Sequence, residues 1–140
     1  MADEDIQKQS VALIERTEIA VVGTVNEAGY PEMRAMMRVK HDGLREIWFS
    51  TNTSSRKIPQ IRATGKGSVY FVDCDNYYGL LLTGKMEILQ DSASRRMVWQ
   101  DGFEKYYPGG VDDPDHSVLH FVAEKAEFYH GLKITQFDIA

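Results

Sequence analysis

Apolar residues along the chain fall into short runs cut by polar, glycine-bearing turns, a spacing that predicts hairpins more than long helices. The first run is the exception. Ile6, Ser10, Leu13 and Ile14 recur at helical spacing, so a helix is expected to about Arg16, capped by Asp3 or Asp5. Ile19-Ala20-Val21-Val22-Gly23-Thr24-Val25 is β-branched and predicts a buried strand, closed by the turn Asn26-Glu27-Ala28-Gly29. The next strand alternates: Met33, Ala35, Met37 and Val39 share one face, and Arg34, Met36, Arg38 and Lys40 the other. After His41-Asp42-Gly43, Glu46 to Thr51 predicts a third strand.

Ser54 is expected to cap a short helix from Ser55 to about Thr64, with Pro59 delaying its start or bending it. Strands are expected at Val69–Val72 and Leu80–Leu89, joined by the polar hairpin Asp73 to Gly79. Asp91 caps a further helix through Met97, Val98 and Trp99, and a Pro/Gly/Asp-rich loop runs from Tyr107 to Asp115. Val118 to Tyr129 is a last long strand, and Thr135 to Ile139 can add a short one. About six strands in hairpin order with a few helices make an α+β domain, its antiparallel sheet closing into a barrel. Residues 1–140 are one domain's length, without repeat or linker.

Charge narrows the chemistry. A net charge of -5, from 16 basic and 21 acidic residues, argues against nucleic acid, which needs a dense basic face. No apolar run approaches the roughly 20 residues of a membrane helix. The acidic start, Met1-Ala2-Asp3-Glu4-Asp5, does not resemble a secretory signal, and the lone Cys74 suits a reducing cytoplasm.

The informative segment is Ser50-Thr51-Asn52-Thr53-Ser54-Ser55-Arg56-Lys57. It passes from a strand end through a polar loop into a helix start, where free amides and the helix dipole favour an anion. Thr51 and Ser55 supply hydroxyls, Arg56 a planar fork and Lys57 a point charge, a set that matches a phosphate monoester. The same residues also serve as an ordinary helix cap with a solvated Arg-Lys pair. Arg34 and Arg38 likewise read as guards on an edge strand. A hairpin from residues 34–38 to 46–51 would make the two groups neighbours and join a phosphate cradle to a Met-lined surface. A flavin ring wants such a surface. No Gly-x-Gly-x-x-Gly turn is present for a dinucleotide, so flavin mononucleotide (FMN) fits better than FAD.

Pro31-Glu32-Met33-Arg34-Ala35-Met36-Met37, Phe49-Ser50-Thr51-Asn52 and Ser55-Arg56-Lys57 resemble the FMN-binding motifs of pyridoxamine 5'-phosphate oxidases. Trp48 to Thr53, Tyr70-Phe71-Val72-Asp73, Tyr106-Tyr107-Pro108 and Gly110-Val111-Asp112-Asp113-Pro114-Asp115 resemble the small general stress proteins of that superfamily. The resemblance implies a six-stranded split β-barrel with flanking helices and FMN at the interface of a homodimer. It places Arg34 at the ring or ribityl chain, Ala35, Met36 and Met37 along the ring, and Ser50 and Thr51 on phosphate or ribityl oxygens. Ser55, Arg56 and Lys57 hold the phosphate, and Tyr78 and Trp99 contribute from the second subunit. The oxidase's Tyr/Arg/Ser substrate set and its Arg-x-His motif are missing, so vitamin oxidation is not expected.

Other features point elsewhere. His116 and His120 lie on a strand, roughly 13 Å apart, too far for one metal. Asp113, Asp115 and Glu124 lack the glycine a calcium loop needs. No acid–base pair or nucleophile stands out, which suits either a flavin-dependent oxidoreductase or a flavin-binding stress protein that sequesters or senses. Haem and deazaflavin are alternative occupants of such a barrel; haem needs a pocket histidine, and none of the four is well placed. Trp48, Met36, Met37, Tyr70, Tyr77, Tyr78, Leu80 and Leu82 exceed what one small barrel absorbs, a second reason to expect a dimer.

Overall fold

The structure, a computed structural model, describes residues 4–139, so the expected cap at Asp3 lies outside the described residues. Helix α1 (Glu4–Arg16) carries Asp5 within its first turn, where the carboxylate accepts from Gln9 Nε2 at 2.7 Å instead of capping. Its buried face, Ser10, Leu13 and Ile14, is the one the helical spacing marks out.

Eight strands follow among the described residues: β1 (Ile19–Val25), β2 (Pro31–Met37), β3 (Lys40–Asp42), β4 (Glu46–Asn52), β5 (Lys66–Asp73), β6 (Tyr78–Leu89), β7 (His116–His130) and β8 (Lys133–Asp138). Helices α2 (Lys57–Thr64) and α3 (Ser92–Val98) and a 3-10 turn (Phe103–Lys105) complete the chain. The sheet order is β2-β1-β5-β6-β7-β4-β3, with β8 paired to β7. Every pairing is antiparallel.

This is an α+β split barrel, with two strands more than the six expected. The extra strands come from the chain end and from a break in the predicted strand 33–40. At Arg38 and Val39 the chain crosses from one end of the sheet order to the other. Arg38 N donates to Glu18 O (2.8 Å), and Val39 N donates to Trp48 O (3.1 Å). β2 and β3 therefore stitch the two sheet ends together. The expected hairpin between 34–38 and 46–51 does not form, because β2 pairs with β1 and only β3 pairs with β4. Arg38 leaves the Arg34 face and reaches Glu15 O on α1 (3.5 Å).

The barrel core is built from alternate residues. Val22, Ile47, Phe49, Val69, Phe71, Leu80, Leu82, Leu119 and Phe121 are fully enclosed, with Leu13 and Ile14 of α1 packed among them. Met36, Leu80 and Leu82, counted as surplus from sequence, are absorbed here. Tyr77, from the same set, stays exposed, and with it stand apolar residues the set did not include, among them Ile19, Met33 and Val72.

Strand β7 carries a bulge. Thr83 faces Lys125 and Gly84 faces Ala123, leaving Glu124 of β7 without a partner residue in β6. A Cβ at Gly84 would overlap the Val122 carbonyl oxygen, so only glycine permits this close approach. Before the bulge β7 pairs with β4; beyond it, with β8.

Candidate functional site

The 52–57 turn is shaped by its neighbours. Ser54 does not cap α2: its backbone N–H donates to Asp115 Oδ1 (2.8 Å), and its hydroxyl donates to Asp115 Oδ2 (3.3 Å). Thr53 N donates to Asp115 O at 2.7 Å. Asp115 is fixed in turn by Asp113, whose carboxylate accepts from the backbone N–H of Gly109 (2.8 Å) and of Asp115 (2.9 Å). These bonds hold the Asp113 carboxyl below the usual range. The acidic loop thus clasps the turn, and α2 starts two residues later than expected, at Lys57. Pro59 is then in the first turn, where no intrahelical donor is lost.

Lys57 is buried, at 8% exposure, and among the described residues no carboxylate forms an ion pair with it. Its Nζ donates to Thr51 Oγ1 (2.8 Å) and Ser55 Oγ (2.9 Å). One ammonium proton remains, and each hydroxyl, having accepted, turns its own proton elsewhere. Burial first, and then the Arg34 charge, bring the Lys57 pKa down to about 8.

Arg34 and Arg56 flank this lysine. Arg34 Nη1 donates to Thr24 Oγ1 (2.8 Å) and Val22 O (3.2 Å), and its Nη2 lies 3.9 Å from Glu32 Oε1. Arg56 Nη2 donates to Glu32 Oε2 at 2.7 Å. Asn26 Nδ2 and Gln60 Nε2 donate to the same carboxylate, each at 2.9 Å. With Arg56 these bonds hold the Glu32 pKa down to about 2, against the opposing effect of burial. Three cations against one carboxylate leave two positive charges in surplus.

From this end a cleft of about 440 Å³ opens between β2 and β4. It is lined by Arg34, Ala35, Met36, Met37, Ser50, Thr51 and Lys57, all expected from sequence. Ser55 and Arg56 line the adjoining hollow with Glu32, Arg34 and Lys57. The juxtaposition expected of residues 34–37 and 50–57 is therefore present, produced by barrel closure and not by a hairpin.

Tyr78 and Trp99 do not line this cleft in their own chain. Tyr78 stacks on His130 at 4.2 Å between ring centres, under the Arg16 guanidinium. Trp99, one residue past α3, packs on Phe103, Tyr107 and His116. It stands behind an aromatic wall that sequence reasoning missed: Phe103, Tyr106 and Tyr107 line the cleft, as do Ile19, Val39 and Asn52. The Tyr106-Tyr107 pair was visible as a motif, but its placement depends on the long β7 connection. Burial and the nearby Asp115 and Asp113 push the Tyr107 hydroxyl up to about 12. Glu32, Thr24 and Gln60, the scaffold behind the arginines, were likewise not singled out.

The donor set tests for a ligand. Lys57, Thr51 and Ser55 present protons at one end, two arginines stand beside them, and the far walls are apolar. A phosphate monoester, carrying about 1.5–2 negative charges near neutral pH, matches the charge surplus. A planar ring system matches the walls, so the residues fit FMN.

Comparison with known proteins agrees with this architecture. Residues 5–136 match the family described as pyridoxamine 5'-phosphate oxidase like. No curated protein matches the chain significantly in sequence. Among solved structures, a Clostridium acetobutylicum protein related to general stress protein 26 of B. subtilis (pyridoxinephosphate oxidase family) is 48% identical. It superposes with a TM-score of 0.91 over 99% of this chain and 97% of its own. General stress protein 26 from Bacillus anthracis shares the fold at 16% identity, with a TM-score of 0.78 over 94% and 98% of the two chains. So does a heme binding protein from Mycobacterium smegmatis, at 14% identity and a TM-score of 0.77, covering 99% of this chain and 60% of that one. The protein belongs to the pyridoxamine 5'-phosphate oxidase-like family, in its general stress protein branch.

Proposed function

We propose that the protein is an FMN-binding oxidoreductase that works as a homodimer. The observation that carries the reading is the donor-rich end of the cleft, where Lys57, bonded to the Thr51 and Ser55 hydroxyls, stands between Arg34 and Arg56. When bound, the isoalloxazine ring supplies hydride or electron transfer. The chain's own residues bind and orient. Lys57, Ser55 and Arg56 hold the phosphate, Arg34 neutralises charge towards the ring, and Met36 and Met37 with Phe103 and Tyr106 keep water from it.

The outer face beside the cleft supports a dimer. Ile19 is 54% and Met33 71% exposed, and Val72 and Tyr77 are exposed as well. A second subunit covering this face would bring Tyr78 and Trp99 of the partner subunit towards the open side of the cleft. Light scattering with flavin quantitation tests this. Two flavins per dimer are expected, and a 15.9 kDa monomer holding one tightly bound FMN refutes it.

The cofactor reading is tested by the absorption spectrum of the purified protein and by chromatography of the ligand released on heating. Recovery of FAD alone, or no binding of FMN at micromolar concentration, overturns it. Bleaching by NAD(P)H and repeated reoxidation in air identify turnover; a module that only sequesters or senses flavin does not cycle. Production of pyridoxal 5'-phosphate is not expected, since nothing like the oxidase's Tyr/Arg/Ser set or Arg-x-His motif supplies the substrate phosphate with a counter-charge. Haem suits the site less well. Among the described residues no histidine lines the cleft, and His116 and His120 have both ring nitrogens engaged.

A further inference from the structure

Ser50 and Thr51 are neighbours on β4 and both line the cleft, yet their hydroxyls have opposite polarity. Thr51 Oγ1 accepts from Lys57, so its own proton is free of that bond. Ser50 Oγ lies 3.1 Å from His116 Nε2. His116 is 0% exposed, and its Nδ1 lies 2.8 Å from Val111 O. A carbonyl oxygen only accepts, so Nδ1 carries the proton. In the neutral ring Nε2 is then bare and takes the Ser50 proton. The imidazole is also clamped: Trp99 packs on it at 5.2 Å and Tyr107 at 4.6 Å, and Arg95 Nε holds the His116 carbonyl at 2.7 Å.

Ser50 consequently offers the cleft lone pairs and no proton. It has nothing to give a phosphate oxygen or a ring carbonyl, which themselves only accept. We infer that Ser50 is a specificity-determining acceptor for a hydrogen-bond donor of the ligand, a ribityl hydroxyl or the ring imide N–H. His116 is the positioning residue that enforces that polarity. The inference rests on the FMN reading and narrows the phosphate or ribityl contact that the resemblance implies for Ser50, excluding the phosphate.

Wild-type affinity for FMN is compared with that for N3-methyl-FMN and the monodeoxyribityl analogues, each lacking one donor. One analogue is expected to bind about tenfold more weakly, since a half-buried acceptor loses its partner. Ser50→Ala binds FMN about tenfold more weakly and no longer distinguishes that analogue. His116→Gln, whose amide oxygen accepts where Nε2 did, keeps the discrimination, and His116→Phe loses it. Uniform wild-type affinity across the series, or discrimination that survives Ser50→Ala, overturns the inference while leaving FMN binding intact. A wild type that does not bind FMN overturns the cofactor reading and this inference with it.

Discussion

On the outer face of β4, β6 and β7, His120 stands between Glu46 and Glu87, with a ring nitrogen 2.9 Å from each carboxylate and its ring stacked on Trp48. At the end of β4, Lys57 is more deeply buried and has only hydroxyls for company. The two regions use the same strand and similar side chains. In the first, each nitrogen of the basic side chain has found an acidic partner. In the second, cations crowd together and one pays for it in pKa. A fold selected for stability alone has no reason to bury an ammonium beside a guanidinium, because a charge out of water is costly without a counter-charge. The imbalance makes sense if a ligand brings the missing anion.

Removing the basic side chain should therefore do opposite things in the two places. The largest effect is expected from Lys57→Met. FMN affinity falls about 10- to 100-fold, the equivalent of about 1.5–3 kcal/mol for a charge-assisted contact, while the apoprotein is no less stable. Titration calorimetry and urea denaturation read the two quantities; a large loss of apoprotein stability would show that the lysine is structural. Arg56→Ala should cost about tenfold in affinity, at the lower end of the same range, because this side chain is largely exposed and already paired with Glu32. Unchanged affinity would remove Arg56 from the phosphate site.

The pH dependence sharpens the contrast without mutation. Lys57 in the free protein titrates near 8 and not near 10.5, so bound phosphate must draw a proton onto it. Affinity for FMN falls as pH rises through 8. The fold itself behaves in the opposite sense. Between about 8 and 10.5 the unfolded chain holds more protons on this group than the folded one, so apoprotein stability gains from Lys57 as pH rises across that window. Calorimetry in buffers of different ionisation enthalpy should register proton uptake on binding. The smallest effect on binding is expected from His120→Ala: none on FMN affinity, with about 1–2 kcal/mol lost from urea stability as two carboxylates face each other unpaired.

Much of this was legible in sequence where the signal is local. The alternation in β1, β4 and β7, the Asp91 cap of α3 and the run from Ser50 to Lys57 all depend on neighbours a few residues away. What escaped depends on long-range register. The break at Arg38 and Val39 carries no special residue, and it arises because the barrel must close there. Ser54 looks like a helix cap until Asp115, 61 positions away, takes its amide. His116 reads from sequence only as one of two strand histidines too far apart for one metal, and its contacts with Val111 and Ser50, on which the inferred polarity rests, come from residues 5 and 66 positions away.

The bulge at Glu124 has a consequence for how the sequence can change over evolution. Inward positions on β7 run Leu119, Phe121 and Ala123 in one phase, then Ala126 and Phe128 in the other. The strand is two reading frames spliced by one extra residue. Deleting Glu124 would leave plain alternation, with Ala126 and Phe128 still inward and still paired with β8, and would remove only the bend and extra twist that the bulge gives the strand opposite Gly84. A single-residue insertion or deletion elsewhere in this strand flips every side chain beyond it, so homologues that carry a gap within residues 118–130 should carry it at 123–125, while the exposed turn at Gly131–Leu132 tolerates length changes freely.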